Sequence, residues 1–334
     1  MASFLDRDAS ASFRVRDVSR SFTLSTAEHT PFTTMCPKGA RPKSSLYEWP
    51  HRSAHTPTDS AIEDGVDVQT SEYINNNSNK AMLQGRVQKG RVAIAVGDLA
   101  MELTREYGDG GDNLLAQNRT DALRMARENL EVTLLKNSDS NAESSGTPGK
   151  LRGLAFWIRS SNSGVTDTAI PSAALCAAGQ IVSGAATAAA VTEDNVRAIM
   201  RTIATNKQIS GGMGWDVFVT PSMKEVFSNW ARTGDITETT VPLRRFNAPA
   251  DGSTIKLDVR FYEGDFGKAR LHTHFSLPSG HHAIFSRMDS VAIRPVRNPR
   301  LGALEYRGGA HVEFIEYILG LEVSDPRCHG KITT

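Results

Sequence analysis

Four histidines stand close together toward the C-terminal end of the chain, as His272-Thr273-His274 and His281-His282. On a strand, residues i and i+2 share a face, so His272 and His274 could both turn toward one metal ion. Pro278-Ser279-Gly280 supplies a turn that could bring His281 or His282 to the same ion. No carboxylate stands at a matching spacing, so the competing reading is a hairpin of solvated polar residues. A metal-dependent enzyme built on His272, His274, His281 and His282 is kept as a remote alternative.

Other candidates carry less. Cys36 with His29, or Cys176 with a distant histidine, has the composition of a nucleophile and base, but no local sequence joins the two. Asp109 and Asp112 flank a Gly-rich break, yet the Dx[DN]x[DN]G ladder of a calcium loop is missing. GxxxxGK[ST], HExxH and GxSxG are absent. Gly211-Gly212-Met213-Gly214 lacks the preceding strand and following helix of a nucleotide loop. Trp49, Trp157, Trp215 and Trp230 lie in apolar surroundings and read as core or interface anchors, not as a platform for stacked bases. The sequence therefore predicts no catalytic residue, no cofactor and no metal site; it does not read as an enzyme.

Composition sets wider bounds. In 334 residues, Lys plus Arg number 38 and Asp plus Glu 37, a net charge of +1. A chain that binds nucleic acid by bulk charge is far more basic. Hydrophobic residues at 39% and charged residues at 22% are ordinary for soluble domains, and argue against a collagen, a coiled-coil rod, a membrane protein or a wholly disordered chain. Three widely spaced cysteines, Cys36, Cys176 and Cys328, form no disulfide framework and no CxxC pair, and read as reduced thiols. The first thirty residues hold no continuous apolar run, so no secretory signal is expected.

The elements that would position these groups follow in a distinctive order. Residues up to about 45 are polar and broken by Pro31, Pro37 and Pro42, so they form an arm that must dock elsewhere. Leu46, Tyr47 and Trp49 have strand character ended by Pro50. An acidic stretch from Asp59 to Glu72 and a turn at Asn75–Asn79 follow, and then an alternating run leads into Val92–Val96. This is a long two-stranded ribbon, and a ribbon of little apolar content needs a partner surface. Helical periodicity runs over Asp98–Tyr107, breaks at Gly108–Gly111 and resumes from Asp112 to Lys136, about 37 Å of helix. Leu115, Ala122, Ala126, Leu130 and Leu134 make its apolar stripe, flanked by Leu123 and Met125. Arg119, Arg124, Arg127, Glu128 and Glu131 are placed on the other face, wet or between subunits.

Beyond a Ser/Asn/Gly loop at 137–150, the chain reads as a mixed α/β unit. Leu151–Ile158 re-enters a core. Thr192 caps a helix with Val196, Ile199, Met200 and Ile203 on one face. Trp215–Val219 is an apolar strand, and Thr220-Pro221 starts a helix with Val226, Phe227 and Trp230 inside. Short strands are expected at 255–262, 269–275, 282–285 and 291–294, and a closing strand, bulged near Gly320, at 310–323.

Three stretches resemble the major capsid proteins of tailed bacteriophages, specifically a podovirus-type family formerly catalogued as a domain of unknown function. Leu46-Tyr-Glu-Trp49 with Glu63-Asp-Gly65 is similar to its extended-loop segment. Arg119–Leu135, ending in Glu131-Val-Thr-Leu-Leu135, resembles its spine helix. Glu316-Tyr-Ile-Leu-Gly-Leu-Glu-Val323 with His329-Gly-Lys-Ile332 resembles its closing strand, and Gly264-Asp-Phe-Gly267 fits a strand region of its axial domain. The stretch Ile94–Asp98 and the break at Gly108–Gly111 depart from the family pattern. The resemblance implies an α+β, Hong Kong 97-like fold: an N-terminal arm at 1–42, an extended loop at 43–96, a spine helix with the first part of a peripheral domain at 97–165, an axial domain at 166–289 and return strands of the peripheral domain at 290–334. It implies a structural protein that forms homo-hexamers and homo-pentamers of an icosahedral head around double-stranded DNA. Implied partners are a portal protein at one vertex, scaffolding and decoration proteins, and nonspecifically contacted DNA, with no membrane. The implied setting is the virion, assembled in the host bacterial cytoplasm. The alternative within the same fold is an encapsulin-like nanocompartment shell.

Overall fold

The computed structural model describes residues 29–54, 59, 61–67, 80–100, 102, 114–207, 213–232, 259–303 and 309–334. Within these, the strands in chain order are β1 (Leu46–Arg52), β2 (Lys80–Gly97), β3 (Ile181–Val182), β4 (Met213–Val219), β5 (Phe261–Gly264), β6 (Gly267–Thr273), β7 (His281–Ser286), β8 (Val291–Ala303), β9 (Ala310–Val323) and β10 (Gly330–Thr333). The principal helices are α1 (Pro31–Met35), α2 (Leu114–Leu135), α3 (Leu154–Trp157), α4 (Glu193–Lys207) and α5 (Pro221–Arg232). A four-stranded sheet runs β1-β2-β9-β8, and a six-stranded sheet runs β3-β10-β7-β4-β6-β5.

The four-stranded sheet is antiparallel throughout. Leu46 pairs with Arg86 and Arg52 with Lys80, so β1 and β2 form the expected ribbon. Its base is less dependent on outside help than its composition suggests. Tyr47, Trp49 and His51 alternate inward on β1 and are buried, and Leu83 opposite Trp49 is fully buried. The next half of β2, Val87–Gly97, pairs with β9. Between Arg52 and Lys80, the described residues 53, 54, 59 and 61–67 form an excursion outside both strands.

Two glycines make the seat for Tyr47. Its hydroxyl donates to the Leu321 carbonyl at 2.8 Å. A Cβ on Gly85 would come within 2.8 Å of the Tyr47 ring, and one on Gly320 would overlap its hydroxyl. Gly320 is thus a site of close approach, and β9 runs in unbroken register against β2 there.

The bulges lie on β8 instead, between Pro295 and Arg297 and between Arg297 and Arg300. Pro295 and Pro299 argue for a strand ending at Arg294, yet β8 runs to Ala303. The strand is at the sheet edge, where a missing N–H can face away from the ladder.

Helix α2 spans about 33 Å. Ala122, Ala126, Leu130, Leu134 and Leu135 are buried on the sheet side, while Leu123 and Met125 are exposed. The positions Gly108–Gly111 and Asp112 lie outside the described residues.

In the six-stranded sheet, β4 pairs parallel with β6 and antiparallel with β7. Helix α4 covers it with Val196, Ile199, Met200 and Ile203, as their spacing predicts. Helix α5 begins at Pro221, and the Thr220 hydroxyl accepts from the Met223 N–H at 3.3 Å. Met223 and Phe227 are its fully inward residues, with Val226 and Trp230 packed at the margin. The segment 290–334 divides between the sheets. Strands β8 and β9 lie in the four-stranded sheet, but β10 pairs with β3 and β7 in the six-stranded one. Ile332 is fully buried in the core of that second unit, so the chain's last strand does not return with the others.

Candidate assembly interface

The structure separates the four histidines. His272 Nε2 lies 2.9 Å from Asp216 Oδ1, and its ring stacks on Phe218 at 5.7 Å. His274 Nε2 lies 3.0 Å from Glu131 Oε1, and its ring stands edge-on to Phe218. His281 Nδ1 is 3.1 Å from the Ser279 carbonyl, and His282 Nε2 is 2.8 Å from the Ala185 carbonyl. Each histidine thus has its own protein partner, and none of the four converges on a shared point. Among the described residues no group of three or more His, Cys, Asp or Glu could hold a metal ion. The cysteines are equally engaged in packing. Cys36 and Cys176 are buried, and desolvation pushes both thiols up to about 12, far from thiolate chemistry. His29 instead approaches the Thr273 carbonyl.

Glu131 is the residue that joins the parts. Helical periodicity puts it on the wet face of α2, but its carboxylate is buried. Oε1 accepts from the Phe32 N–H at 2.8 Å and Oε2 from the Thr33 N–H at 2.7 Å and from the Thr33 hydroxyl. These N–H groups open helix α1, whose first-turn donors have no partner inside the helix. Beneath them Phe32 is fully buried and meets Phe218 of the six-stranded sheet edge-on at 5.5 Å. His274 donates to the same carboxylate from the end of β6. Its Nδ1 accepts from the Ser276 N–H at 3.1 Å, which leaves the proton on Nε2. One carboxylate therefore ties the root of the arm, the long helix and the second sheet together.

A second buried pair fixes the loop after α2. Arg152 Nε donates to Asp139 Oδ1 at 2.7 Å. Burial works to raise the Asp139 carboxyl, but N–H donors of Asp167 and Thr166 together with Arg152 outweigh it and hold it below the usual range. Arg86 of β2 adds a fork onto Asp167, at 2.6 and 3.0 Å.

Some large side chains are left open to solvent. On α2, Leu123, Met125 and Val132 stay exposed, and Arg119 reaches across to Glu313 of β9 with two hydrogen bonds, at 2.6 and 2.5 Å. In the excursion beyond the sheet, Ile62 is 69% exposed and Val66 47%. Large apolar side chains thus stand open to solvent on the long helix and in the loop between β1 and β2. Among the described residues no helix is long and apolar enough to cross a membrane.

A long antiparallel sheet with a spine helix, an outgoing ribbon and a helix-flanked second sheet is the Hong Kong 97-like fold of phage capsid proteins. Solved structures superpose over nearly the whole chain. The chain of Gordonia phage Cozz matches with a TM-score of 0.57 at 14% identity, covering 99% of this chain and 95% of that one. The capsid of the cyanophage P-SCSP1u gives 0.59 at 12% identity, over 96% and 93%. The capsid of the native GTA particle, computed with C5 symmetry, gives 0.61 at 8% identity, over 100% and 99%. A search of curated proteins finds no match. The chain belongs to the SU10 major capsid protein family, whose match runs over residues 6–334. It is a phage major capsid protein, and neither the nanocompartment nor the metal-enzyme alternative is favoured by these likenesses.

Proposed function

We infer that this chain builds an icosahedral head from homo-hexamers and homo-pentamers, closed around double-stranded DNA. The family match over residues 6–334 carries this reading. The five-fold symmetry of the GTA capsid supports pentamers as one of the two capsomers. The role is structural, not enzymatic. The arm at 1–42 and the extended loop at 43–96 clasp neighbours, the spine helix and peripheral domain begin within 97–165, and 166–289 forms the axial domain about the capsomer axis. Strands at 290–334 complete the peripheral domain, with β10 added to the axial sheet. A portal protein occupies one vertex, and scaffolding and decoration proteins act at the inner and outer faces. Assembly takes place in the host bacterial cytoplasm.

The near-zero net charge suits a shell that holds its DNA loosely. Expression of the chain with the genes beside it tests this directly. Particles that protect double-stranded DNA from nuclease are expected; particles that enclose a cargo enzyme and no DNA would contradict it.

A further inference from the structure

The two faces of the six-stranded sheet differ in chemistry. Under α4 and α5 lie Val217, Val219, Leu271, Ala283, Phe285 and Ile332, all buried. On the opposite face, one rung runs His272, Phe218, Ile284, Lys331 and Ile181 across five strands. Asp216 pairs with Ser286 two residues along, so both stand on this same face. Of the side chains that these strands give to the core shared with the four-stranded sheet, Phe218 and Ile284 are fully buried and Ile181 is half-buried. The rest of the face is polar. A joint this polar between two units permits relative motion.

The joint is also incompletely bonded. Among the described residues, buried side-chain N and O atoms without a protein partner fall on Trp157, Arg159, His281, Ser286, Arg327 and His329. Hydrogen bonds bring these segments together along one seam. Lys331 Nζ donates to the Ala155 carbonyl at 2.8 Å, the Arg287 N–H to His329 Nδ1 at 3.3 Å, and the Cys176 thiol to the Pro326 carbonyl at 3.1 Å. A buried polar atom left unpaired costs free energy, so the seam is held less tightly than the apolar core on either side. The chain crosses from β7 to β8 and from β9 to β10 by short connections. Connections of a few residues absorb hinge rotation.

Helix α1 stands in this joint. Phe32 sets its ring edge-on against Phe218, one of the two fully buried apolar side chains on the second sheet's side. Glu131 of α2 holds the N–H groups of Phe32 and Thr33. The same carboxylate takes the His274 Nε2 proton, and the His274 backbone N–H donates to the Val219 carbonyl of β4 at 2.8 Å. Just before α1, the His29 ring meets Phe275 edge-on at 5.4 Å. Just after it, the chain is tied to β8: the Gly39 N–H donates to the Ile293 carbonyl at 2.8 Å, and the Ile293 N–H to the Pro37 carbonyl at 2.9 Å. A five-residue helix therefore touches both units and is anchored to each.

We propose that α1 is a pin in this joint: Phe32, seated by Glu131 and His274, fixes the angle between the two sheets, and withdrawal of α1 frees the six-stranded unit to turn about the seam. The position of α1 and the shape of the subunit are then coupled. The competing account makes α1 one more piece of a single core, whose loss loosens both sheets alike. The pin is a property of the single chain and stands apart from the shell reading.

The test uses the full-length chain, kept dilute and unassembled, with spin labels at Asn129→Cys on α2 and Arg201→Cys on α4, both exposed positions. The native cysteines are buried and leave these two sites to the label. Phe32→Ala should widen or displace the label-to-label distance distribution, and Glu131→Gln should do so to a smaller degree. In hydrogen exchange, amides at 281–287 and 326–333 should open about tenfold faster in both variants, while those at 92–96 and 196–203 keep their protection. Glu131→Gln, which keeps one oxygen for α1, decides the question if Phe32→Ala does not fold. Distance distributions unchanged in the folded variants overturn the pin. Protection lost evenly over both sheets overturns it in favour of a single core. A wild-type distribution already as broad as that of the variants overturns it as well.

Discussion

Glu131 Oε1 accepts a hydrogen bond from the backbone N–H of Phe32 at 2.8 Å, across 99 residues of sequence. The contact fastens the start of α1 onto the long helix, with His274 on the same oxygen. Glu131→Ala would leave two backbone donors and the His274 N–H unpaired in the interior. We expect a loss of about 3 kcal/mol, measured by urea unfolding, and faster proteolysis ahead of Pro31. A change below about 1 kcal/mol would show that the arm root is not held this way.

Gly320 is required by the Tyr47 ring that crosses it. Gly320→Ala should destabilise the fold by about 1–3 kcal/mol, because the clash is with an anchored side chain and not a flexible tip. Gly146, with φ +79° and open space around it, is the contrast for Ala substitution: strain in the left-handed region without a clash. Thermal melting of the two variants separates the mechanisms, since only Gly320→Ala should also loosen β1.

His329 sets an acid limit. It is fully buried, and desolvation lowers its pKa from 6.5 to about 3. Between those values the unfolded chain binds the proton and the folded chain does not. Stability from this group is therefore present above pH 6.5 and falls as pH drops toward 3. His329→Leu should be less stable at pH 7, where the Arg287 N–H loses its acceptor, but should show a flatter decline across that window. Equal slopes in the two proteins would contradict this.

Excision of residues 53–79, with a short turn joining Arg52 to Lys80, should leave a folded chain that builds no shells. The cut must spare β1, because Tyr47 and Trp49 belong to the core and Trp49 Nε1 donates to the Val323 carbonyl at 3.0 Å. Circular dichroism and electron microscopy check the two halves of this expectation. Intact shells from the excised chain would remove the loop from the assembly account.

Periodicity made much of this fold legible. The stripe of α2 and the inward set of α4 are local patterns, and both strands of the ribbon are bounded by their own turn residues. What the pattern missed was decided at long range. Glu131 follows Leu130 on the helix and reads as polar surface, because its partners come from residues 32, 33 and 274. His272 and His274 share a face, as expected, but Asp216 and Glu131 lie 56 and 143 residues away and claim them singly. The prolines of β8 signal a stop, and only its place at the sheet edge makes them tolerable.

The most direct measurement is electron microscopy of the recombinant full-length chain after sizing by light scattering. The account predicts closed shells, or rings of five and six subunits, with the chains interlocked through arm and loop. A uniform monomer, unchanged by concentration and by addition of the neighbouring gene products, would contradict it.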